Sequence, residues 1–307
     1  MFLSDDFSGS IRASSSGART IRELGPEATG RKIILPVFLA LCLIVARGPF
    51  ALAQIIDAFP NLDSGYGQMY NLQFPDAHKT FHSWEELNPG DPLGPTSDAA
   101  AYLFSEFDRL GILQTELFVD DEKFNKGKKL VPDPASKQAF ESALSKSELQ
   151  ADRVLMGSPQ DKNALFTQVM NRGLRSDYLA LIEGKGLASL SYMKSAGILA
   201  EKLLALDPSC YDAYLAVGIE NYILGLRPVA VRWVLQLYGA QANKELGISR
   251  LQLTAEKGHY LRPFAQLLLA VAALRGKDKA RAKELLEGLA REFPNNKLYA
   301  TELGKLQ

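Results

Sequence analysis

The stretch AGILAEKLLALDPSCYDAYLAVG, Ala196 to Gly218, is the one whose reading decides the fold. Ala196, Ala200 and Leu203 stand twelve, eight and five residues before Pro208. Aligning the chain on Pro89, Pro208 and Pro294 shows the same arrangement three times. Twelve residues before each proline is an alanine (Ala77, Ala196, Ala282), and eight before are Phe81, Ala200 and Leu286. Five before are Trp84, Leu203 and Leu289; twenty-four before are Gly65, Gly184 and Ala270. Small residues at fixed offsets let two helices cross closely while the larger apolar ones fill the seam. The proline then ends the second helix, because it cannot continue the hydrogen-bond ladder.

This pattern resembles the tetratricopeptide repeat, a helix-turn-helix unit of 34 residues. Tyr214, Val217 and Gly218 match the aromatic-x-x-Leu-Gly opening of that repeat, and YATELG near the C-terminus begins it again with Leu303 and Gly304, as a capping helix would. Elsewhere the match fades but helical spacing persists. Ala99–Val119, Ser136–Met156 and Asp161–Leu174 read as helices, the last two separated by the breaker Gly157-Ser158-Pro159. The charged run from Asp120 to Pro134 reads as a loop. No β-branched alternation is present, so the expected class is all-α: antiparallel helix pairs stacked as a right-handed solenoid like that of the tetratricopeptide family. The segments DPSCYDAYLAVGIENYILG, ELGISRLQLTAEKG and REFPNN are also similar to a group of bacterial exported proteins with degenerate repeats. In that group an insertion follows the pair matched by Asn221-Tyr222 and ends before a helix like Lys244–Lys257. The resemblance implies a fold and no particular chemistry.

The insertion holds an apolar helix, Val229 to Tyr238, whose strongly polar residues are Arg232 and Gln236. A helix so apolar is buried, lies against lipid or holds a partner. In the repeat register, Leu215, Ile219, Tyr222 and Ile223 face a concave groove from one pair, and Phe264, Leu267, Val271 and Leu274 from the last. The groove is apolar, which argues against a carboxylate-tail ligand. Trp233 is expected to be buried against it, completing the core, or to gate it for a partner.

Residues 31–53 carry an address. Arg31 and Lys32 precede the apolar run Ile33–Ala46, and Ala51-Leu52-Ala53 supplies a small-x-small cleavage pattern. A charged start, short apolar middle and such an end read as a secretory signal. Cleavage is expected between Ala53 and Gln54, giving a periplasmic or secreted protein; an uncleaved signal would instead anchor it. Residues 1–30 read as an unstructured leader or a mis-assigned start, and 54–307 as the helical-repeat domain. Leu39–Cys42 is a poor lipoprotein box, since Leu41 occupies the small-residue position. The 35 basic and 35 acidic side chains balance, so no field favours nucleic acid. Cys210 alone follows the cleavage site, which rules out an intrachain disulfide in the mature chain.

Chemistry-bearing candidates are few. His78, His82 and Glu86 share a helical face with spacing that could hold zinc, but without further ligands they read as a solvated polar stripe. Cys210 begins a helix without a neighbouring base, and Gly184–Ser189 lacks phosphate-loop spacing; its glycines read as close-packing residues. Asp120, Asp121 and Glu122 are balanced by lysines. The expectation is a non-enzymatic scaffold for protein–protein interaction in the cell envelope, with no cofactor or metal and possible membrane association. The alternative is a periplasmic binding protein holding a lipid or hydrophobic peptide in the apolar groove.

Overall fold

Asparagine and aspartate start six of the helices described. The computed structural model describes residues 61–113, 130–226 and 243–306. Within them Asn61, Asp133, Asp161, Asn243, Asp278 and Asn296 each accept a backbone N–H from the first turn of a helix through the side-chain oxygen. Each satisfies a donor that the helix itself leaves unpaired. Pro75, Pro134 and Pro263 sit in first turns, where the missing N–H costs nothing. Eleven α-helices result among the described residues, and no strand. They are α1 (Leu62–Tyr70), α2 (Phe74–Leu87), α3 (Leu93–Leu110), α4 (Pro134–Gly157), α5 (Lys162–Asp177) and α6 (Gly186–Leu206). Then follow α7 (Tyr214–Gly225), α8 (Lys244–Lys257), α9 (Arg262–Arg275), α10 (Lys279–Glu292) and α11 (Lys297–Gly304). None is long and apolar enough to cross a membrane.

The three aligned prolines follow turns of one geometry. Asn88, Asp207 and Phe293 each donate a backbone N–H to the residue four earlier, Trp84, Leu203 and Leu289, at 2.8 Å. Ala77, Ala196 and Ala282 are buried where expected, as are Phe81, Ala200 and Leu286. Pro159 marks a fourth copy. Ser158 N–H donates to Val154 at 2.8 Å, and buried Ser147 and Ala151 occupy the twelve- and eight-residue offsets. A fifth lacks proline: Gly258 N–H donates to Thr254 at 2.8 Å, with Gly247 and buried Leu251 at the matching places. The breaker Gly157-Ser158-Pro159 is therefore a member of the series.

First helices also share an ending. After α1, Leu72 N–H bonds to Met69 and Gln73 N–H to Gln68; after α9, Lys277 N–H bonds to Leu274 and Asp278 N–H to Ala273. Leu72 and Lys277 both have φ of 61°, the left-handed residue of a Schellman turn. Gly111, at φ 65°, closes α3 in the same way. The helix expected over Ala99–Val119 thus begins earlier, at Leu93, and ends at Leu110; residues 114–129 lie outside the described ones.

In the first block Gly65 admits the Phe81 ring, since a Cβ there would lie 2.2 Å from Cε1. The middle block departs from expectation. Gly184 does not sit in a helix crossing: it has φ of 64° and no side chain or backbone within 4 Å of where a Cβ would be. It ends the π-helical turn Tyr178–Ile182 that extends α5, and Gly186 likewise meets nothing. Helix α6 runs unbroken from Gly186 to Leu206 and packs on α5 instead of containing a hairpin. The proline spacing survives there while the 34-residue unit does not.

Each described helix lies against the next described one, and α1–α3, α3–α5 and α5–α7 touch as well. The α7–α8 crossing is closest at glycines: a Cβ on Gly247 would stand 2.5 Å from Tyr222 N. Between α3, α4 and α5 a wholly buried polar knot forms. Thr96 Oγ1 lies 2.5 Å from Ser147 Oγ and donates to Asn171 Oδ1 at 3.0 Å, while Asn171 Nδ2 donates to Ser147 at 2.9 Å. One hydrophobic cluster runs from Leu62 in α1 to Tyr299 in α11.

Candidate functional site

The expected groove is the place to look for binding, and α1 largely decides its state. Tyr66 and Tyr70 lie one turn apart on α1 and are 2% and 4% exposed. Their partners are at the far end of the chain. Tyr66 stacks on Tyr260 with ring centroids 4.7 Å apart, and Tyr70 Oη donates to the Tyr260 carbonyl at 3.0 Å. The Tyr70 ring also meets Phe293 at 5.5 Å, and Asn296 Nδ2 donates to the Tyr70 carbonyl at 2.8 Å. Burial raises the phenol of Tyr70 well above its ordinary range, so it is a neutral donor there. Phe104 of α3 reaches across to Phe264 of α9 at 5.2 Å.

Asp212, in the 3₁₀ turn before α7, presents Tyr260 to α1. Its carboxylate accepts the backbone N–H groups of His259, Tyr260 and Leu261 at 2.8, 2.9 and 3.1 Å. Burial nevertheless raises its pKa, the three hydrogen bonds opposing that shift. Under this seam remains a cleft of about 160 Å³, walled by Met69, Tyr70, Phe104, Phe107, Phe264 and Leu267, with Asp108 and Lys297 also lining it.

The anticipated groove residues are therefore divided. Phe264 and Leu267 line this cleft. Leu215, Tyr222 and Val271 are also buried, and α1 and α3 lie along the side formed by the last pair. Ile219 and Leu274 are half-buried, Ile219 bridging the main core and a small cluster of Met193 and Leu224. Ile223 is exposed. Trp233 and helix 229–238 lie outside the described residues.

The histidine face is more than a solvated stripe. His78 Nδ1 lies 2.5 Å from Asp98 Oδ1, and His82 Nε2 lies 3.1 Å from Asp98 Oδ2. Asp98 is buried in α3, while Glu86 is exposed and has no part in the group; Glu85 takes that place. Tyr102 rests on the His78 ring at 4.1 Å, its phenol pKa raised by burial and by the carboxylates of Asp98 and Glu85. Sequence reading missed Asp98 because nothing in TSDAAAY sets it apart from an ordinary exposed helix residue. Cys210 is no activated thiol: burial pushes it up to about 11.

Comparison of the chain with family models, curated proteins and solved structures found no match.

Proposed function

We propose that the chain is an exported, non-enzymatic scaffold of the tetratricopeptide-like solenoid type, cleaved after Ala53 and binding a protein partner in the cell envelope. The shared turns and buried small residues support the repeat reading. The observation that carries the binding reading is on α6, where Leu187 and Ile198 are 89% and 62% exposed. Eleven residues is close to three helical turns, so both lie on one side of α6. A partner helix laid along that side would bury both, in the manner of a helix docked by spaced apolar anchors.

The test is capture from envelope extract by the purified mature chain. Replacing both residues (Leu187→Asp with Ile198→Asp) should leave thermal melting unchanged and abolish capture. Equal capture by the variant would remove α6 as the binding face. A second reading is favoured by the apolar walls of the cleft beside Phe264 and Leu267: a binding protein that accepts a small apolar group there. Organic extraction followed by mass spectrometry of the protein from its own host would reveal such a ligand, and a Phe104→Trp variant would exclude it by filling the space. The address is tested separately by the mass of the mature chain, expected to begin at Gln54.

A further inference from the structure

We propose that His82, Glu85 and Asp98 form a zinc site at the α2–α3 crossing, with His78 holding the Asp98 carboxylate from behind. One donor atom from each of the three lies within 4.8 Å of the others. A tetrahedral ion with bonds near 2.0–2.2 Å separates its ligand atoms by about 3.3 Å. His82 Nε2 and Asp98 Oδ2, at 3.1 Å, are already spaced that way.

Side chains that would hold the ligands in position are also in place. Asp98 presents Oδ2 to His82 and Oδ1 to His78 Nδ1, and a ligating carboxylate is commonly fixed by a hydrogen bond to its other oxygen. Lys146 Nζ braces Glu85 through Oε2 at 2.5 Å. Gly94 brings the helices together at this point, since a Cβ there would lie 2.8 Å from Glu85 Cγ. Asp98 is 95% withdrawn from solvent at its side chain, whereas His82 stands 56% exposed. The ion would therefore sit with carboxylate beneath it and water as its outer ligand, three protein donors plus water being a regular zinc set. A histidine–aspartate pair would explain the two histidines and Lys146 the position of Glu85; the zinc reading adds a reason for one donor atom of His82, Glu85 and Asp98 to lie within 4.8 Å of the others.

The experiment uses the full chain made without a histidine tag, stripped with chelator and titrated with Zn²⁺ by calorimetry. Saturation at one ion per chain is expected, with a rise in melting temperature. His82→Ala, at an exposed position that the fold tolerates, should weaken binding roughly tenfold or more, and Glu85→Gln likewise. Glu86→Gln should bind as the parent does. His78→Gln, which keeps a donor, should retain more affinity than His78→Ala, although both lose the imidazole packing on Tyr102. Absence of binding in the parent chain, or affinity unchanged by His82→Ala, would overturn the site and leave a histidine–aspartate clamp.

Discussion

Lys277 is held at φ 61° at the end of α9, a conformation in which an L side chain crowds its own backbone. Its side chain is exposed, so little is lost with it. Lys277→Gly is expected to stabilise the chain by about 1 kcal/mol, read from urea midpoints. Leu72 occupies the same position after α1, and the corresponding change tests whether the two turns are energetically alike. Asp177 is the residue whose titration should be visible in stability. Burial at the junction of α5 with the π-helical turn raises its pKa from 3.8 to about 7. The folded chain therefore holds this proton more tightly than the unfolded chain does. Its contribution is full at low pH and is lost as pH rises from the ordinary carboxylate range toward about 7. Asp177→Asn should flatten that part of the stability–pH profile, and an unchanged profile would place the carboxylate in water.

At the scale of elements, the aligned alanines are crossing points. Ala282 is fully buried, so Ala282→Leu should cost about 1–3 kcal/mol by overpacking the α9–α10 seam. The neighbouring Lys283→Leu, on the exposed side, should change stability by less than about 0.5 kcal/mol. Equal losses in chemical denaturation would mean that the helices meet on another face. The crossings were legible because three of the five turns keep both the alanine and the proline. The other two were hidden by replacements: Ser147 stands where alanine does although Pro159 is kept, and Gly247 and His259 stand where alanine and proline do. Gly184 misled, since a glycine required by positive φ looks the same in sequence as one required by close approach. The groove residues were legible as apolar but the part α1 and α3 play beside them was not, because periodicity shows which face is buried and not what buries it. Asp98 could not be read at all, for its histidine partners are on a different helix.

For the whole molecule the decisive feature is the contact of α1 with the α8–α9 and α10–α11 turns. Repeat arrays ordinarily contact only their neighbours and can open from an end. Here Tyr66 and Tyr70 tie the first helix to Tyr260 and Phe293, so the ends should not fray independently. Tyr66→Ala is expected to cost about 3–5 kcal/mol, as loss of a buried large side chain does. More tellingly, it should speed hydrogen exchange in α9 and α10 as much as in α1, which an open array would confine to the mutated end. Synthesis proceeds from the N-terminus, so α1 emerges long before the residues that cover it. Until Tyr260 arrives, 190 residues after Tyr70, and Phe293 after it, its tyrosine face has no native home, and closing so long a loop adds to the barrier. The same tie that joins α1 to the last helices delays completion of the fold until those helices have been made.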